Sequence, residues 1–273
     1  MGLLARSSQF AIALVILGSS WAVLWTVRSY WNPLAFFGLW TGAVFMLRLL
    51  AGVPMFPWRR HLVLSALSVP LWWWFEFVNG FVRNWRYIGG ERYNALEYAF
   101  FASLAFSTVI PALDAAWTLT RVRGRDAATE PIHQRWVQTE IGLGLLAQAL
   151  VFTVPRYAFP LVWVAPFLVF DGLVAWYGGT SLVHALLLRS WALPARLAVA
   201  GLLCGFLWES WNFWSWPKWE YTLPFFEFWH LFEMPLLGYL GYIPFVWSVY
   251  QLLTFLRLWA WRPRQREAPA PAG

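Results

Sequence analysis

Two glutamates lie inside sequence apolar enough for a membrane, and each is followed three residues later by an asparagine. They are Glu76 with Asn79 in Phe75-Glu76-Phe77-Val78-Asn79, and Glu209 with Asn212 in Trp208-Glu209-Ser210-Trp211-Asn212. On a helix this spacing puts the carboxyl and carboxamide groups on one face. A short way on comes Trp-x-Tyr, as Trp85-Arg86-Tyr87 and Trp219-Glu220-Tyr221, with one residue more before the second copy. The same polar writing therefore occurs twice, the mark of an internal repeat.

The chemistry open to such groups is proton transfer. A carboxyl group in an apolar pocket holds its proton more tightly, and a second carboxylate nearby tightens it further. One protonated and one ionised glutamate form a general acid and base. Glu76 and Glu209 are the expected pair, oriented by Asn79 and Asn212, with Glu233 of Phe232-Glu233-Met234-Pro235 as a third carboxylate. Arg83 continues the Glu76 face, and Lys218 lies just beyond the second copy. Trp85, Tyr87, Trp208, Trp211, Trp219 and Tyr221 would line a substrate site, with Arg83 and Lys218 as its basic groups. Rings of this kind stabilise a developing cation by about 0.5–2 kcal/mol each.

A structural reading stands beside the chemical one. Glu76 could pair with Arg83 or Arg86 and Glu209 with Lys218, as buried ion pairs joining helices. Asn79 and Asn212 could bond between helices, and the Trp-x-Tyr residues could be interface anchors. Asp171 could cap a helix, pair with His184 or lie on a proton path. Asp114 stands where it can reach water, and Glu140 is placed to pair with Arg135.

The elements carrying these residues are membrane helices. Of 273 residues, 60% are hydrophobic and 12% charged, whereas soluble domains carry roughly 25% charged residues. Apolar runs at 8–27, 33–50, 61–82, 94–117, 137–155, 159–177, 193–214 and 229–257 approach the ~20 residues that a span needs. Pro235, Gly238, Gly241 and Pro244 mark the last for a kink or break. The first run has no small-residue cleavage site after it and reads as a retained helix. The 23 Trp suit interfacial belts. The expected fold is all-α, with eight transmembrane helices in two parallel four-helix repeats. The repeats cover 1–120 and 137–258, joined by a cytoplasmic linker over 121–136, with a basic disordered tail over 259–273.

Eight spans place Arg6, Arg48, Arg59, Arg60, Arg121, Arg123, Arg125, Arg135, Arg189, Arg196, Arg257, Arg262, Arg264 and Arg266 on one side. The other side holds Arg28, Arg83, Arg86, Arg92, Arg156 and Lys218. The excess of basic residues marks the cytoplasmic side, so both termini are expected inside, in the cell (inner) membrane. Both motif copies then fall on the outer side. No metal-ligand spacing, phosphate-cradling loop, Ser-His-Asp order or zincin motif appears, so neither metal nor cofactor is expected. The expected partners are the bilayer and a lipophilic small molecule, and nothing in the sequence points to nucleic acid.

Trp85-Arg86-Tyr87 and Trp219-Glu220-Tyr221, each followed by Glu and Pro elements, resemble the lycopene cyclase domain. That family comprises small membrane proteins of duplicated helical units that act on carotenoid polyenes through acidic residues. Its Pro-x-Glu-Glu signature has no match; the nearest strings are Pro224-Phe225-Phe226-Glu227 and Glu233-Met234-Pro235. The resemblance implies an isoprenoid or carotenoid-like substrate. Residues and resemblance together lead to an integral membrane enzyme acting on a lipophilic substrate by carboxylate acid/base chemistry, such as cyclisation or hydration. The same carboxylates would serve a proton-coupled transporter or a binding protein, and a Trp-rich scaffold is a third reading.

Overall fold

The computed structural model describes residues 3–120 and 132–266. The apolar runs form α1 (Leu3–Thr26), α2 (Asn32–Leu50), α3 (Trp58–Val82), α4 (Ala95–Phe106), α5 (Val109–Leu119) and α6 (Gln134–Thr153). They continue as α7 (Pro155–Ala158), α8 (Leu161–Trp176), α9 (Leu182–Leu187), α10 (Ala192–Asn212) and α11 (Tyr242–Arg266). Short strands β1 (Trp85–Ile88), β2 (Lys218–Tyr221), β3 (His230–Leu231) and β4 (Met234–Pro235) interrupt an otherwise helical chain. The class is all-α, as expected.

Among the described residues, six stretches are long and apolar enough to cross a membrane: Arg6–Thr26, Asn32–Leu50, Trp58–Val82, Ala95–Leu119, Ala192–Asn212 and Leu236–Ala260. Eight were expected. Of the other two, α6 opens on Gln134, Arg135, Gln138 and Glu140, which lower its hydropathy. The 16 residues of α8 rise only about 24 Å at 1.5 Å each, short of a hydrocarbon core of about 30 Å. Residues 229–257 also divide. A β3–β4 hairpin, turning at Phe232 with φ 59°, is followed by a 3₁₀ turn at Leu236–Gly241 before α11 begins. Residues 121–131 of the expected linker and 267–273 of the expected tail lie outside the described residues. The flanking segments are helical: His133 caps α6 by accepting the Arg135 N–H, and α11 runs on to Arg266.

The chain packs as two compact units. The first joins Met1–Val122 with Val199–Tyr242, so both motif copies belong to it. Within it α1 and α2 touch at Gly42, where a Cβ would come 2.6 Å from the Leu17 backbone nitrogen. Small residues at such contacts let membrane helices approach closely. Its core includes Trp40, Leu39, Phe75, Ile110 and Leu113.

Pro111 cannot offer an N–H to the turn before it, and the chain breaks between α4 and α5. Ser68 of α3 bridges the break. Its hydroxyl donates to the Phe106 carbonyl at 2.5 Å and accepts the Ile110 N–H at 3.0 Å. Asp114 of α5 does not reach water as expected. It is 2% exposed and accepts from the guanidinium groups of Arg48 (3.3 Å) and Arg60 (2.5 and 3.1 Å).

The second unit joins Arg123–Ala198 with Ile243–Gly273. Here α6 lies directly against α8. A Cβ at Gly144 would meet the Val169 nitrogen at 2.9 Å, and one at Gly172 would meet Ile141 Cγ1 at 2.6 Å. Trp247 of α11 donates its indole N–H to the Pro194 carbonyl.

Candidate functional site

The two Trp-x-Tyr segments pair with each other. Strands β1 and β2 are antiparallel, with Trp85 opposite Tyr221, Arg86 opposite Glu220 and Tyr87 opposite Trp219. Each Trp thus faces the Tyr of the other copy, and the Arg86–Glu220 ion pair (3.2 Å) marks the centre. Side chains alternate along a strand, so Trp85, Tyr87, Trp219 and Tyr221 share one face of this ribbon. Both glutamates meet that face.

Glu76 of α3 is held locally. Its Oε1 accepts from Trp72 Nε1 (3.0 Å), Trp85 Nε1 (3.1 Å) and the Tyr87 hydroxyl (2.6 Å). Trp72 lies four residues before Glu76, where the helix stacks side chains on one face. The Glu209 cage is built differently. Its Oε1 accepts from the hydroxyls of Tyr221 (2.7 Å) and Tyr242 (2.5 Å), and Trp219 Nε1 supports the Tyr221 hydroxyl at 3.0 Å. Glu209 is 0% exposed, and its Oε2 has no hydrogen-bond partner among the described residues. Burial, followed by the neighbouring glutamate, pushes the Tyr87 and Tyr221 phenols well above their ordinary range, so both stay donors.

Asn79 and Asn212 do not bond their glutamates. Asn79 Nδ2 donates to the Trp85 carbonyl (2.8 Å), and its Oδ1 accepts the N–H groups of Asn84 (2.9 Å) and Trp85 (3.3 Å). Asn212 repeats this, donating to the Trp219 carbonyl (2.6 Å) and accepting its N–H (2.8 Å). Each motif is therefore a joint. Asparagine holds the ribbon backbone, glutamate holds its side chains, and the helix ends there.

Other expected site residues distribute unevenly. Lys218 is shared between Glu233 (2.5 Å) and Glu220 (3.5 Å), so Glu233 is an ion-pair partner and not a free third carboxylate. Arg83 is exposed and ends α3 in the left-handed conformation, its N–H bonded to the Asn79 carbonyl. Trp208 is buried and stacks on Tyr242 at 6.0 Å, within reach of the Glu209 cage. Trp211, about 200° round the helix from Glu209, packs instead on Trp40 and Trp21.

Two participants escaped the sequence reading. Trp72 could have been found from its i, i+4 relation to Glu76. Tyr242 lies 33 residues beyond Glu209 and carries no local signal. Its ring is seated by Gly205, where a Cβ would come 2.3 Å from Tyr242 Cδ2. A second close approach occurs at Gly89 (φ +83°), over which the Trp216 ring packs. Among the described residues no group of three His, Cys, Asp or Glu could hold a metal ion. No protein-family model, curated protein or solved structure matches the chain.

Proposed function

We propose that the protein is a membrane-embedded enzyme that transfers a proton to or from a lipophilic substrate, with Glu209 as the acid/base group. One observation carries the reading: a fully buried carboxyl group has one oxygen fixed by two tyrosine hydroxyls and the other without a protein partner. A buried polar atom left unsatisfied costs about 1–3 kcal/mol, so such an atom marks a place for a further molecule. The flanking rings of Trp208, Trp219, Tyr221 and Tyr242 suit an apolar one. Glu76, with three donors on one oxygen, holds the ribbon in the first motif.

The substrate class we favour is an isoprenoid or related polyene, on which protonation leads to cyclisation or hydration. The ribbon would face the outer side of the membrane. In support, Arg48, Arg59 and Arg60 gather at the far end of α3, about 37 Å away at 1.5 Å per residue over 25 residues. That basic end fits the cytoplasmic side.

The test compares lipid extracts, by mass spectrometry, from cells expressing wild type, Glu209→Gln and Glu76→Gln at equal protein levels. A lipid that changes with wild type but not with Glu209→Gln is expected. Identical extracts in all strains refute the enzyme. Proton-driven uptake into proteoliposomes, lost in Glu209→Gln, would assign the same carboxyl to transport instead.

A further inference from the structure

Two further carboxyl groups, Glu140 and Asp171, belong to the second unit. The close contact of α6 with α8 at Ile141 and Gly172 sets their chain neighbours Glu140 and Asp171 against each other, placed for their carboxyl groups to share a hydrogen bond. Asp171 is 0% exposed. It accepts from the Ser181 hydroxyl (2.5 Å), the N–H groups of Leu182 (2.7 Å) and Val183 (3.1 Å), and the Gln251 carboxamide. Gln251 of α11 is also 0% exposed and donates to the Thr180 carbonyl at 3.0 Å. Its Oε1 has no partner among the described residues, and neither has the buried Oε1 of Glu140. Helix capping accounts for the three donors from Ser181, Leu182 and Val183. It does not account for a second carboxyl group, or for the unpartnered amide oxygen beside it.

Two carboxyl oxygens hydrogen-bond to each other only if one carries a proton, because like charges in an apolar interior repel. Four donors already surround the Asp171 carboxyl, which leaves the proton on Glu140. We propose that Glu140, Asp171 and Gln251 form a proton-binding site, in which one exchangeable proton is shared by the carboxyl pair and the Gln251 amide oxygen is a further acceptor. The route for exchange is Glu140 itself. It is half-buried, and Gln134, Arg135, Gln138 and Thr139 before it on α6 are exposed.

The other titratable groups on the surrounding elements are few. His184 on α9 has a buried Nε2 without a partner among the described residues. Arg135 stands five residues before Glu140 on α6, and Arg257 six residues beyond Gln251 on α11. None of these bonds either carboxyl among the contacts described. The expected ion pair of Glu140 with Arg135 is thus replaced by the carboxyl pair.

The proposal is tested on the full chain in lipid nanodiscs with a hydrophobic carbodiimide. This reagent adds across a protonated carboxyl and rearranges to a stable N-acylurea, which peptide mass spectrometry locates. At about pH 7 an ordinary glutamate is protonated in only about one molecule in 500, so an adduct concentrated on Glu140 is expected only if it keeps its proton. In parallel, the infrared band of protonated carboxyl groups is recorded for wild type and Glu140→Gln, and a loss of intensity in the variant is expected. Glu140→Gln replaces a neutral group by a neutral one and should fold; if it does not, the wild-type labelling decides alone. The adduct or the band loss sustains the site. Absence of the adduct with an unchanged band overturns it.

Discussion

Replacing Asn212 with alanine tests the joint at its most buried member. Asn212 is 0% exposed and satisfies both backbone groups of Trp219. Its removal orphans one N–H and one C=O, at about 1–3 kcal/mol each where water cannot enter, so a loss of about 2–4 kcal/mol is expected. An unfolding entropy of roughly 2.1 cal/mol/K per residue gives about 0.6 kcal/mol/K for this chain, and 3 kcal/mol then lowers Tm by about 5 °C. Helices that persist in the heated membrane state reduce that entropy and enlarge the shift. Asn79→Ala orphans groups at Asn84 and Trp85 and should cost a similar amount. Because both asparagines brace one ribbon, the second loss should cost less than the first, by about 1 kcal/mol in a double-mutant cycle. Asn212→Asp keeps the acceptor but loses the donor, and should fall between wild type and alanine. The measurement is thermal unfolding in detergent, followed by near-ultraviolet dichroism of the tryptophans. An unchanged Tm in Asn212→Ala, or strictly additive losses in the double mutant, would show that the ribbon is not held as described.

Gly205→Ala should displace the Tyr242 ring and cost about 1–3 kcal/mol by overpacking, and both it and Tyr242→Phe should reduce the lipid change expected of wild type. Asp114→Asn leaves Arg48 and Arg60 around a neutral group and should lower stability by about 3–5 kcal/mol, read by the same melting assay. High pH should destabilise the ribbon. Tyr87 and Tyr221 have folded-state values raised above the ordinary value of about 10, so their contribution is complete below about pH 10 and disappears as pH rises through the raised values. Ultraviolet titration should show part of the tyrosinate signal appearing only on unfolding, and that part should shrink in Tyr87→Phe and Tyr221→Phe.

The sequence made the helices and the motif legible because each rests on local information. Hydropathy marks α2, α3 and α10 directly, and i, i+3 spacing puts Glu76 with Asn79. The pairing of Trp85–Ile88 with Lys218–Tyr221 was not legible. Two four-residue strands carry no alternation distinct from interfacial aromatics, and only tertiary contact sets their register. The same cause hid Tyr242. The span count was overread where short apolar runs, such as α8, pass for spans until their rise is measured. Residues 229–235 looked helical because they are apolar, although Pro235 and a left-handed Phe232 favour a hairpin. Glu140 was paired with its nearest cation in sequence, whereas the glycine contact of α6 with α8 selects Asp171.

The ribbon also sets an order of assembly. Every donor to Glu76 comes from within 11 residues, so the first cage can close soon after Tyr87 is synthesised. The second cage waits for Tyr242, and β1 waits for a partner that begins at Lys218. Between them the ribosome makes residues 123–198, which belong to the other unit. A nascent chain halted before β2 would expose the paired edge of β1 and both Trp-x-Tyr rings of the first motif. That edge stays without its backbone partner until Lys218–Tyr221 emerges.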